Sequence, residues 1–228
     1  MLNELTSVKN ALSVLVLALV VALYLFANST FFELEQIEWT GLTYLSAEQL
    51  NAYIDLPTLN VWRLDTRELV SSLRQHPWIA NAKVTWRWPN RLIVRVQERT
   101  PVAQIPTEGG WVLLDREGTI LPAIQHEILW DMPICTGLDL EAAEQLVATS
   151  RLITLIPPRL APFISEWNAQ QRAFITRSGV EVHMGEPVEL EEKFALLEGI
   201  LEDLQARGER AARIDLGVPK TPVVSLER

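Results

Sequence analysis

One cysteine, Cys135, stands in 228 residues, so no intramolecular disulfide can form and cysteine arithmetic says nothing about compartment. Histidine is nearly as scarce. His76, His126 and His183 are scattered without ligand spacing, so a metal site would need distant acids or Cys135 to converge on them. Positive charge is in deficit, with 20 Lys and Arg against 29 Asp and Glu and a formal charge of -9, which argues against the basic surface that a nucleic-acid partner demands. Repeats and low-complexity segments are lacking too. Ser178 and His183 fall close together in "RSGVEVH", but no nucleophile-elbow motif surrounds Ser178, so it reads as turn chemistry. Asp115 in "DREG" and Glu186 in "GEP" are carboxylates of a kind that any acidic chain offers, and His76 before Pro77 reads as a helix-end residue. The expectation is a protein that is not an enzyme and takes no cofactor, metal or small-molecule substrate.

What is present begins with apolar residues at 48%, ample for real cores in a chain long enough for one or two domains. The stretch "ALSVLVLALVVALYLFA", Ala11 to Ala27, holds 17 residues with Ser13 and the Tyr24 phenol as its polar groups. As a helix it measures about 26 Å, close to the hydrocarbon thickness of a bilayer. A cleaved secretory signal is the competing reading, with "ANST" from Ala27 as the cleavage site. The apolar run exceeds the usual signal core, and the flank before it is barely basic, with Lys9 and the amino terminus offset by Glu4. An uncleaved single span over residues 11–27 is therefore expected. No Lys or Arg follows it until Arg63, so residues 1–10 are placed in the cytoplasm and the bulk of the chain outside.

After the span, "FELEQIEWTGL" reads as a short strand and turn ending at Gly41. Ser46 and Gln49 have capping-box spacing ahead of a helix that buries Leu50, Tyr53 and Ile54. Asp65 and Glu68 open a second helix with Leu69, Val70 and Leu73 on one face, stopped before Pro77. In "VTWRWPNRLIVRVQERTP", Ala82, Val84 and Trp86 alternate with Lys83, Thr85 and Arg87, and Leu92, Val94 and Val96 alternate with Arg91, Arg95 and Gln97. That pattern is a hairpin turning at Pro89 and Asn90. Trp86 and Trp88 there are either packing or a contact patch. The order so far is β-α-α-β-β.

Beyond Pro101 come short strands, with "WVLLD" and "TILP" flanking Gly118 and "AFIT" and "VEVHM" flanking Gly179, both suited to positive-φ turns. Asp139 is placed as the cap of a helix through Leu146, Val147 and Ile153 that ends at Pro157. A second helix, Leu190 to Arg207, carries Leu190, Phe194, Leu197, Leu201 and Leu204 on its apolar face and stops at Gly208. "RIDL" and "VVSL" close the chain as strands. The fold class is α+β, with a mixed sheet and two helices in the second half.

These residues resemble the FtsQ/DivIB family of bacterial cell-division proteins. The likeness is carried by Gly41 and Leu45-Ser46, by "HPWIANAKVTWRWPNRLIVRVQERTPVA" from His76 to Ala103, and by "LLDREG" from Leu113 to Gly118. "GVEVHMG" from Gly179, Lys193, and "IDL" from Ile214 complete it. The resemblance implies a POTRA domain over 31–98 and a β domain over 99–228. It also implies a non-catalytic, single-pass protein of the cell membrane at the division septum, binding FtsB/DivIC-like and FtsL-like partners. In that picture an edge strand, here Val223, Val224, Ser225 and Leu226 after Pro222, receives a partner strand, with Lys193 and Phe194 nearby. An ordinary inner strand is the alternative for Val223 to Leu226. A POTRA-bearing secretion or outer-membrane assembly factor would normally continue into a long β-barrel, whose train of alternating segments is not seen here. A membrane-anchored cell-wall hydrolase lacks its constellation.

Overall fold

The computed structural model describes residues 2–54, 60–123 and 132–226, with side chains from Leu12 onward; His126 lies outside them. Contacts divide the chain into two compact units, Met1–Glu98 and Arg99–Arg228.

The first unit starts with α1 (Leu2–Ala27), whose described side chains are mostly apolar and, up to Phe26, exposed around the helix. Among the described residues no helix is long and apolar enough to cross a membrane, so the span expected over 11–27 is not established by the fold. There follow β1 (Gln36–Thr40), α2 (Ala47–Ile54), α3 (Thr66–Arg74), β2 (Ile79–Arg87) and β3 (Arg91–Glu98). The sheet order is β1-β3-β2, with β1 parallel and β2 antiparallel to β3. Both predicted helix starts are built as expected. Ser46 N–H donates to Gln49 Oε1 at 2.8 Å while Gln49 N–H donates back to Ser46 Oγ at 3.2 Å. Asp65 Oδ1 accepts from the N–H groups of Arg67 and Glu68 at 2.8 and 3.4 Å. Leu50, Leu69 and Leu73 enter the core, as do Leu92, Val94 and Val96 from the hairpin. Tyr53 does not, and its ring instead meets His76 at 4.9 Å on the surface.

One feature of this unit is visible only in three dimensions. Gly41 has φ +86 and its backbone passes so close to β3 that a Cβ would lie 2.1 Å from the Val96 carbonyl oxygen. The loop it opens is closed by Glu98, whose carboxylate accepts from the N–H groups of Thr43, Tyr44 and Leu45 at 2.9, 2.7 and 3.0 Å.

Among the described residues, the second unit is a mixed sheet of nine strands carrying two α-helices. In chain order these are β4 (Pro101–Thr107), β5 (Gly110–Asp115), β6 (Ile120–Pro122), β7 (Ile134–Thr136), α4 (Ala143–Thr154), β8 (Ile164–Asn168), β9 (Ala173–Thr176), β10 (Glu181–His183), α5 (Leu190–Arg207), β11 (Ala211–Asp215) and β12 (Val223–Leu226). They line up as β12-β11-β10-β9-β8-β7-β4-β5-β6. α4 links the parallel pair β7 and β8, and α5 links the parallel pair β10 and β11, as the long crossover of a parallel connection requires. Gly118 and Gly179 take positive φ in their hairpins, as expected, and Gly208 caps α5 in the left-handed region. Pairing of β11 with β12 shifts register between Ala211 and Arg213, a β-bulge.

Two expectations for α4 fail. Asp139 lies too early to cap it: the helix begins after Ala142, and Asp139 Oδ1 instead accepts from Glu141 N–H at 2.9 Å in the preceding turn. Val147, assigned to the buried face, is exposed. The "LLDREG" motif is a structural knot. Arg99 Nη1 contacts Asp115 Oδ2 at 2.7 Å and Glu117 Oε2 at 2.6 Å, and Asp115 Oδ1 accepts from the N–H groups of Glu117 and Thr119 at 2.9 and 2.6 Å.

Candidate partner-docking edge

α5 turns Leu190, Phe194, Leu197 and Leu204 into the core of the second unit, where Phe174, Val182 and Ile214 of the sheet receive them. β11 follows beside β10, and β12 doubles back to pair with it: Asp215 opposite Val223, Ile214 opposite Val224, Arg213 opposite Ser225 and Ala211 opposite Leu226. Among the described residues no strand lies on the other side of β12. The strand is at the edge of the sheet, not inside it, and all four of its residues are exposed, Val223, Val224 and Leu226 at 59%, 36% and 48%. Pro222 stands just before it, where a missing N–H costs the sheet nothing.

Side chains alternate along a strand, so Val224 and Leu226 share one face and Val223 and Ser225 the other. Val224 and Leu226 line an open groove of about 480 Å³ together with Leu196, Gly199, Ile200 and Leu204 of α5. Asp203, Arg207 and Glu209 stand on its border, with Arg207 Nη2 and Asp203 Oδ2 paired at 2.9 Å. A row of backbone donors and acceptors beside an apolar trough is what an extended segment with alternating apolar side chains can occupy.

Lys193 and Phe194, expected beside the docking strand, do not present themselves to a partner. Lys193 is 0% and Phe194 1% exposed. The Lys193 ammonium donates to the Met184 and Glu186 carbonyl oxygens at 2.6 and 2.8 Å, clamping the end of β10 to α5, and the Phe194 ring lies 6.0 Å from that of Phe174. Burial pulls the lysine below its ordinary range, opposed by the Glu189 and Glu186 carboxylates. A signal for this existed in the sequence: positions 190, 193, 194 and 197 form one continuous stripe at helical spacing, and Lys193 is inside it. Leu196 and Ile200 are on the neighbouring stripe that faces the groove, and sequence reasoning passed over them.

The remaining reactive groups are occupied locally. His183 Nε2 lies 2.8 Å from Glu181 Oε1, and Ser178 Oγ lies 3.0 Å from Thr176 Oγ1. Cys135 is buried in β7, its thiol pushed up to about 12 by desolvation and then by Glu166. Among the described residues no group of three or more His, Cys, Asp or Glu is placed to hold a metal.

With this geometry in place, the family model "POTRA domain, FtsQ-type" matches residues 32–99 and "Cell division protein FtsQ/DivIB, C-terminal" matches 103–217. β12 lies beyond the second match. The chain is 35% identical over 199 residues to cell division protein FtsQ of Myxococcus fulvus, covering 81% of this chain and 69% of that one. It is 29% identical over 216 residues to FtsQ of an Anaeromyxobacter species, at 86% and 71% coverage. To FtsQ of Syntrophotalea carbinolica it is 27% identical over 232 residues, at 92% and 82%. The solved major extracytoplasmic domain of the bacterial cell division protein DivIB from Geobacillus stearothermophilus is 14% identical and covers 48% of this chain and 97% of its own. The TM-score is 0.37, too slight a likeness to argue from.

Proposed function

The chain belongs to the FtsQ/DivIB family of cell division proteins, and from that premise we propose that it is a non-catalytic scaffold of the division machinery. Its two outer units, a POTRA domain over 31–98 and a β domain over 99–228, hold FtsB/DivIC-like and FtsL-like partners at the septum. α1 anchors them in the cell membrane as a single span with residues 1–10 in the cytoplasm. The observation in support of the anchor is the run of exposed apolar side chains around α1, a pattern suited to lipid. The observation that carries the scaffold reading is β12: a four-residue edge strand, every residue exposed, beside an apolar groove. Strand addition there supplies backbone hydrogen bonds for affinity, and the trough sorts side chains for specificity.

The test uses the full-length chain co-purified with its FtsB-like partner. Neighbouring residues in a strand aim their N–H groups at opposite sides, so of Val224→Pro and Ser225→Pro one removes a donor from the open edge and the other from the β11 ladder. The open-edge variant should lose the partner while unfolding like wild type. Wild-type partner recovery with both variants would sink the strand-addition reading.

A further inference from the structure

Six aromatic rings from separate segments of the first unit meet where α1 ends. Phe26 belongs to the last turn of α1, Phe31 and Phe32 to a 3-10 turn (Thr30–Phe32), and Trp62 to another (Val61–Arg63). Trp86 and Trp88 come from the tip of the β2–β3 hairpin. Phe32 is the hub, with ring centroids 5.2 Å from Phe26, 5.1 Å from Phe31, 5.6 Å from Trp62 and 5.4 Å from Trp88. Trp86 stacks on Trp88 at 5.4 Å and meets Trp62 edge-on at 4.7 Å.

Only the hub is buried. Phe26, Phe31, Trp62 and Trp88 are 56%, 53%, 53% and 60% exposed, a contiguous apolar patch of the kind that marks an interaction surface. Two polar bonds fasten it to the helix end: Asn60 Nδ2 donates to the Ala27 carbonyl oxygen at 2.7 Å, and Arg63 Nη2 to Asn28 Oδ1 at 3.0 Å. Phe26 belongs both to α1 and to the patch, its ring 6.0 Å from that of Phe31, so the patch adjoins the apolar surface of α1. Arg63, Arg87 and Arg91, all exposed, adjoin it in sequence, Arg87 being only loosely paired with Glu38 at 3.7 Å.

We propose that this patch is a lipid seat: Trp62, Trp88, Phe26 and Phe31 settle into the headgroup layer of the bilayer that α1 crosses. The proposal rests on the reading of α1 as the anchor. Indole rings favour that layer because one edge is apolar and the N–H still finds polar partners. The neighbouring guanidinium groups can lay their stems along the rings and their heads on lipid phosphates. The occupant follows from continuity: a surface fused to the end of a lipid-spanning helix meets the headgroup layer before any other partner.

The full-length chain, reconstituted in phosphatidylcholine and phosphatidylglycerol vesicles brominated high on the acyl chains, supplies the test through tryptophan emission. Bromine should quench the wild type, and Trp62→Phe/Trp88→Phe, which keeps the rings but removes two emitters, should lose roughly half or more of the quenched part. Trp39→Phe/Trp78→Phe, outside the patch, should lose little of it. Equal quenching in wild type and the patch variant, or none while the chain resists alkaline washing, overturns the seat and leaves the anchor standing. So does protection of Trp88 from aqueous acrylamide only when a division partner is bound. A chain that washes off the membrane overturns the anchor, and the seat with it.

Discussion

The two ends of the nine-stranded sheet make an instructive pair. At one end stands β6, three residues long, with Leu121 buried and Pro122 as its last member. At the other stands β12, four residues long, every one exposed, with its proline placed just before the strand instead of in it. Shortness and a proline in the strand are ordinary means of closing a sheet edge to strangers. β6 uses both, whereas β12 has an apolar groove alongside. Among the described residues, one edge of the sheet is left open beside a trough and the other carries a proline, and the proposal of strand addition at β12 rests on that contrast.

The contrast can be broken most forcefully from behind. Lys193→Ala would strip one buried and one partly buried carbonyl oxygen of their donor and leave a cavity under α5, costing about 3 kcal/mol in urea unfolding, with Lys193→Met recovering part of it by filling the volume. A direct closure of the open edge comes next. Val224→Lys should weaken the FtsB-like partner at least about tenfold, or about 1.4 kcal/mol, while stability moves by less than about 0.5 kcal/mol. Titration calorimetry alongside thermal unfolding separates the two.

A smaller effect should appear in the first unit and spare both edges. His76 is held below its usual range chiefly by burial, with the Glu98 carboxylate opposing, and its Nδ1 accepts from Trp78 N–H at 3.3 Å. The unfolded chain therefore takes up the proton at a higher pH than the folded one. Stability should fall as pH drops below histidine's ordinary value of about 6.5, level off below the folded value, and lose that dependence in His76→Gln. Chemical unfolding followed across that window reads it. Smallest of all, Pro122→Thr at the closed edge should change stability by less than about 0.5 kcal/mol and leave partner affinity where it was. A gain of partner binding there would show that any edge of this sheet can dock, and the contrast would dissolve.

Local physics was legible in the sequence. The capping box at Ser46, the Asp65 cap, the alternation through Val84 and Val94 and the Gly208 stop all act within a few residues, and each appears where spacing puts it. What was missed depends on distant chain. Tyr53 is on the inner side of α2 by spacing but finds His76 at the surface. Lys193 looks like a solvent-facing charge until the Met184 and Glu186 carbonyls arrive to hold it. Asp139 was misplaced for a different reason, because an aspartate can cap a turn as readily as a helix and sequence does not rank the two. At the candidate site the strand itself could be read and its edge position followed from the family resemblance, but the α5 residues that make the trough could not be read.

The bulge between Ala211 and Arg213 bears on what the open edge refuses. An extra residue in β11 sharpens the local twist and bends β11 itself, the strand on which β12 is laid. A long flat strand laid along this edge would lose register after a few residues, whereas a short flexible peptide can follow the curve. The same kink that interrupts the ladder thus disfavours a long, flat visitor at that unfinished margin.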